Sequence, residues 1–246
     1  MAAASTLPAA VGSCVFPGDV VAKVEEFEQL VLGRGVIRDG DHLRAACVGV
    51  LKWEAPTLWI EGEQKRYIPV KGDQILGVVL DKNAEDYKLD IGAAAQASLP
   101  ILAFDGATKR NRPHLQVGTL VYVRVVLANK DIDPEVTCTA PPGIAAKDWV
   151  TKESVFGELV GGHVFECPLP LCRNLATTDA PVLQALGDLA PFEICVGVNG
   201  RVWLNAERPA TVAVAQQAIL GSYFVPASQH QRLVLDLAEG IDYDDL

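Results

Sequence analysis

The segment Lys109-Arg110-Asn111-Arg112 sets three cations and one amide between Gly106 and Pro113. An arginine grips a phosphate through two parallel N–H donors and stacks on a base, whereas a lysine brings a compact point charge. Such a run suits the backbone of a single-stranded nucleic acid. It equally suits an acidic patch on a protein partner, or a loop that is merely solvated. Residue types alone leave these readings open. Lys130, within Ala128-Asn129-Lys130-Asp131, is a further cation in the same stretch.

Residues for covalent or metal chemistry are not grouped in the sequence. His42, His114, His163 and His230 are isolated, with no His or Cys at metal-ligand spacing. Cys167-Pro168-Leu169-Pro170-Leu171-Cys172 has the wrong spacing for a zinc knuckle. The other thiols, Cys14, Cys47, Cys138 and Cys195, are scattered, so buried free cysteines are expected. No Gly-x-Ser-x-Gly elbow, Walker loop or dinucleotide fingerprint occurs, and Gly33-x-Gly35 reads as a turn. Asp131 and Asp133, and the acids from Asp242 to Asp245, fall in turn-like or tail-like sequence and read as solvated. The expectation is a protein that is not an enzyme and takes no metal and no cofactor.

Charge narrows the partner question. The net charge is −10, which opposes a broad nucleic-acid surface. The balance is −3 over residues 1–65, zero over 66–150 and −7 over 151–246. Any RNA contact should therefore be local and lie in the middle third, where the basic segment sits.

The elements that must hold that segment read mainly as strands. The 246 residues are half hydrophobic and suffice for two or three compact modules. No run of about eighteen apolar residues suggests a membrane span. Met1 to Ala10 is small and apolar, and no Lys or Arg precedes Lys23, so neither a secretory signal nor a transit peptide is expected. These first ten residues read as a flexible tail of a cytoplasmic or nuclear protein.

Residues 1–65 read as a β-domain of short strands, with Trp53, Trp59 and Ile60 in a last strand pair. Residues 66–150 give five strands: Gln74 to Leu80, Tyr87 to Ile91, Ser98 to Phe104 (broken or bulged near Pro100), Leu120 to Asn129, and Val136 to Cys138. A long excursion separates the third and fourth, which is the pattern of an OB-type barrel. Tyr87 is the one aromatic expected on an exposed strand, a thin platform for stacking bases. Residues 151–246 read as an α/β unit of KH size ending in an acidic tail. Its second helix is expected to start at Asp179-Ala180-Pro181 with Asp179 as N-cap, and the last two span Pro209 to Leu220 and Ala227 to Ala238. Gly197-Val198-Asn199-Gly200 matches the Gly-x-x-Gly of an RNA clamp in letters, but Asn-Gly between two apolar strands reads as a hairpin turn. The helix junction Asn174 to Asp179, where a KH clamp belongs, has no glycine.

Phe104 to Pro113, Arg66 to Asp73, Ala128 to Asp131 and Gly197 to Trp203 together resemble the S1/KH cap subunits of the eukaryotic RNA exosome, of the exosome component 3 type. The likeness runs in order from about Val15 to near Ser222. It implies an N-terminal β-domain, an S1-type OB barrel and a C-terminal KH domain. It also implies a cap seated on RNase PH-like ring subunits beside other cap subunits, guiding single-stranded RNA towards a separate 3′→5′ exonuclease. By this resemblance Lys109, Arg110, Asn111, Arg112 and Lys130 contact RNA. Gly197, Asn199, Gly200 and Trp203 are structural, at the packing of S1 on KH. Nucleus, nucleolus and cytoplasm are the expected compartments, and neither DNA nor a membrane is an expected partner. A freestanding RNA-binding adaptor, and a clamp whose basic loop meets an acidic subunit, are the competing readings.

Overall fold

Apolar residues alternate with polar ones along most strands, and that alternation decides which faces are buried. The computed structural model describes residues 11–64, 66–129, 131–141, 155–177 and 179–239. The chain divides between Gln64 and Lys65 into two compact units.

Among its described residues, the first unit is all β apart from one 3-10 turn. Its strands are β1 (Cys14–Val15), β2 (Val20–Lys23), β3 (Val31–Leu32), β4 (Val36–Asp39), β5 (His42–Ala45), β6 (Gly49–Glu54) and β7 (Thr57–Glu61). They form two sheets, ordered β1-β6-β7-β3 and β2-β5-β4. Leu43, Leu51, Leu58 and Ile60 fill the core, and the Phe27 and Trp53 rings meet at 4.9 Å.

The second unit opens with a barrel. Its strands are β8 (Gln74–Lys82), β9 (Asp86–Asp90), β10 (Ala97–Pro100), β11 (Leu120–Asn129) and β12 (Ile132–Thr137). β8 pairs antiparallel with β9 and β11, β9 with β10, and β11 with β12. The parallel pairing of β10 with β12, Ser98 opposite Glu135, closes the ring. This is a five-stranded OB-type barrel. Ile75, Leu89, Leu99, Val121, Val123 and Val136 are fully buried inside it. The third strand breaks at Pro100, where the sequence places the interruption. Ala103 N donates back to Pro100 O, so the chain turns there, and Phe104 keeps only a bridge to Cys138.

A short strand, β13 (Gly157–Glu158), pairs antiparallel with β11, and the remaining elements form the α/β part. They are β14 (His163–Glu166), α1 (Leu169–Leu175), α2 (Pro181–Leu189), β15 (Glu193–Gly197), β16 (Arg201–Asn205), α3 (Pro209–Gly221) and α4 (His230–Ala238). The sheet order is β14-β16-β15, and α4 packs on α2 and α3. The expected Asp179 cap is corrected. Pro181 takes the first helical position, so Ala180 is the cap residue and no side chain caps the helix.

The hairpin expected at Asn199-Gly200 forms between β15 and β16. Gly197 pairs with Arg201, leaving a three-residue loop with Gly200 left-handed at φ 88°. That loop type places glycine at its last position.

Candidate RNA interface

The basic segment is the tip of the connection between β10 and β11, and its shape is locally fixed. Thr108 N donates to Asn111 O at 2.8 Å, and Asn111 N donates to Thr108 Oγ1 at 3.1 Å. Lys109 and Arg110 therefore occupy the apex of a closed turn. Lys109, Arg110, Asn111 and Arg112 are all exposed. Lys130 lies outside the described residues.

The outgoing limb is bolted to the barrel by Tyr87. Its hydroxyl donates to Pro113 O at 2.9 Å and accepts from Leu115 N at 3.3 Å. Tyr87 is only 2% exposed, so the expected stacking surface is corrected. Tyr87, Leu89 and Ile91 share the inward face of β9 and its continuation, and burying the ring lets its hydroxyl reach two backbone groups.

Three exposed cations within four residues cluster at this loop. Some cations elsewhere meet carboxylates, as in Arg44–Asp39 at 2.7 Å, Lys88–Asp86 at 3.3 Å and Arg232–Asp236 at 3.8 Å. Among the described residues, no ion pair uses Lys109, Arg110 or Arg112. In an acidic chain, three exposed cations without carboxylate partners make a local positive site.

Gly197, Asn199 and Trp203 lie against the barrel. Asn199 is 7% exposed, and its amide nitrogen donates to Leu76 O at 2.7 Å and Ile91 O at 2.9 Å. Its amide oxygen accepts from Leu76 N at 3.2 Å, while Val198 N donates to Gln74 O at 3.0 Å. Gly197 leaves the necessary space, because a Cβ there would come 2.8 Å from Leu76 N. Gly200 faces Cys167 O and Leu169 in the same tight corner. Trp203 is 5% exposed, joins the barrel's apolar cluster and donates from Nε1 to Gly161 O at 2.9 Å.

Three further residues of this junction escaped the sequence reading. Arg201 holds Asp90 through Nη2 to Oδ2 at 2.6 Å and donates from Nη1 to Asp90 O at 2.9 Å. Burial pushes the Asp90 carboxyl up, but hydrogen bonds from Arg201 and Gly92 N, with the Arg201 charge, bring it below the ordinary value. Tyr122 donates to Gln74 Oε1 at 2.7 Å and stacks on Phe156 at 5.2 Å. Strand patterning marks Tyr122 and Asp90 only as members of β11 and β9. No local signal names their distant partners.

Other chemistry is sparse. Among the described residues, no group of three or more His, Cys, Asp or Glu is placed to hold a metal. Cys138, Cys167 and Cys172 are buried free thiols, and burial pushes the half-buried Cys195 up to about 11.

Comparison with known proteins then decides the family. Residues 67–147 match the family model described as exosome complex component RRP40, S1 domain, and residues 162–210 match that of the KH domain. Exosome complex component RRP40 of Drosophila melanogaster is 42% identical over 84% of this chain and 88% of its own. The Bos taurus RRP40 is 38% identical over 86% of this chain and 77% of its own. The Homo sapiens RRP40 is 36% identical over the same shares, 86% and 77%.

The chain belongs to the exosome complex component RRP40 family. Its OB-type barrel is thus the S1 domain, and the basic loop belongs to that matched region. In this RRP40 family member the hairpin from Gly197 to Arg201 falls inside the KH match while its Asn199 bonds fall inside the S1 match. Asn199 therefore ties the KH sheet to the S1 barrel.

Proposed function

We propose that this chain is a non-catalytic RNA-binding cap subunit of the RNA exosome. It sits on RNase PH-like ring subunits beside other cap subunits and guides single-stranded RNA into the channel for 3′→5′ degradation and processing. It works in the nucleus, including the nucleolus, and in the cytoplasm. The observation that carries the RNA role is the closed turn of the S1 barrel, with Lys109, Arg110 and Arg112 exposed and outside every described ion pair. Relatives named as exosome complex components at 36–42% identity support the assembly.

The proposed role is one of passage rather than tight capture. The barrel hides Tyr87 instead of offering it to bases, and no glycine clamp lies in the described part of the α1–α2 junction. Weak electrostatic contact to the backbone is what remains, and it lets a strand slide. The test is charge reversal, Lys109→Glu with Arg110→Glu, in a particle reassembled with its ring subunits. RNA protection should fall while the ring stays intact on gel filtration. Unchanged protection would remove the RNA role of the loop, and crosslinks from the loop to protein alone would replace it with a subunit contact.

A further inference from the structure

The basic loop has a neighbour on a different strand. Lys82, the last residue of β8, brings its Nζ to 3.2 Å from His114 Nε2, and both groups are exposed. The approach follows from the backbone. Lys82 stands opposite Tyr87 in the β8–β9 register, and Tyr87 is the residue whose hydroxyl holds Pro113 and Leu115. His114 lies between those two held residues, and Arg112 lies two positions before it. The end of β8 and the outgoing limb of the loop are thus fastened side by side.

An ammonium has three N–H donors and no acceptor, so in this contact the imidazole Nε2 is the acceptor. One Lys82 donor is used on His114, leaving two for another ligand. Among the described residues, Lys82 joins no ion pair, although Asp81 is beside it in sequence and that carboxylate accepts from Lys82 N. An exposed ammonium beside an imidazole rather than a carboxylate has donors left for an anion.

We propose that Lys82, presented by His114, is a further backbone-phosphate contact for single-stranded RNA, extending the basic loop onto strand β8. This rests on the reading of the loop as an RNA site. The contact is to phosphate, so it is independent of base identity and adds to the salt dependence of binding.

The test is the salt dependence of single-stranded RNA binding by the full chain, read by fluorescence anisotropy with a labelled oligonucleotide of mixed sequence. Three variants are compared with the unsubstituted chain: Lys82→Met, Lys82→Arg and Arg110→Ala. Loss of one phosphate contact from a single strand lowers the log–log salt slope by about 0.7. Lys82→Met should show that loss, Lys82→Arg should restore the slope, and Arg110→Ala should show its own loss. A normal slope for Lys82→Met beside a reduced one for Arg110→Ala overturns the Lys82 contact and leaves the loop standing. A slope reduced equally by Lys82→Met and Lys82→Arg overturns it too, because the charge would then be irrelevant. A loss with Lys82→Met alone, restored by Lys82→Arg, supports Lys82 and counts against Arg110 in the loop. No RNA binding by the unsubstituted chain even at low salt overturns both readings.

Discussion

Asn199 hydrogen-bonds both backbone groups of Leu76, a residue 123 positions earlier in the chain. A side-chain amide has the donor and acceptor arrangement of a peptide group, so Asn199 pairs with β8 much as a neighbouring strand would. A third bond to Ile91 O extends the same side chain across to the end of β9. One residue thus satisfies three buried backbone groups at the junction of S1 and KH.

Removing that side chain leaves those groups without partners. Asn199→Ala should cost about 3 kcal/mol, since each buried group left unpaired costs roughly 1–3 kcal/mol and the losses overlap. For a chain of this size that corresponds to a drop in Tm of roughly 6–12 °C. Thermal denaturation monitored by near-ultraviolet circular dichroism measures it. A Tm within error of the unsubstituted chain would show that the junction does not depend on this amide.

Gly200 sets the corner that aims Asn199. Its φ of 88° is left-handed, and an added Cβ would lie 3.1 Å from Cys167 O. Gly200→Val should therefore destabilise by about 1–3 kcal/mol through backbone strain, with crowding added. Gly200→Asn should recover part of the loss, because asparagine tolerates this conformation. Equal melting curves for Val and Asn variants would mean that the conformation of the turn is not what the glycine supplies.

The barrel was legible in the sequence because its strands carry their own signal. Alternation in Tyr87 to Ile91, the apolar run in β11 and the long gap before Leu120 each follow from local chemistry. Tyr87 shows the limit. The same alternation that sends Leu89 inward sends Tyr87 inward, but a tyrosine also suits a surface, and only the Pro113 and Leu115 backbone explains its burial. The hairpin at Asn199-Gly200 could be read for the same local reason, but its contacts could not. Val198 N and the Asn199 side chain bond to β8, and those partners have no mark in the local sequence. The cations of the loop could be read, yet their want of ion pairs could not, since pairing is settled by side chains from other strands.

The Arg201–Asp90 pair should give the junction a measurable pH dependence. Asp90 has a folded-state pKa below its ordinary value, despite the opposing effect of burial. A depressed carboxyl stabilises above its unfolded pKa of about 3.9, and that contribution is lost as pH falls through the lower folded value. The Asp90 side chain is 43% exposed, so solvent screening limits the pair to about 1 kcal/mol or less at neutral pH. Asp90→Asn should lower Tm slightly at pH 7 and converge on the unsubstituted chain as pH falls through the depressed folded value of Asp90. Asp86 is also depressed, chiefly by its hydrogen bond from Ser98, so some acid sensitivity will persist in the variant. A constant difference between the two curves from neutral to strongly acid pH would exclude titration of Asp90 as the cause.

Tyr87 offers a way to loosen the basic loop without touching its charge. The hydroxyl holds Pro113 O and Leu115 N, both in buried residues. Tyr87→Phe keeps the buried ring and removes both bonds, at a cost of about 1–2 kcal/mol. Exchange of the Leu115 amide should quicken, because its acceptor is gone and the limb opens more often. RNA protection by the reassembled particle should weaken as well, since Lys109, Arg110 and Arg112 would spend less time aligned. The charge count is unchanged, so a fall in protection would report loop placement rather than net electrostatics. Faster Leu115 exchange with normal protection would mean that RNA reads the cations without needing the loop held still.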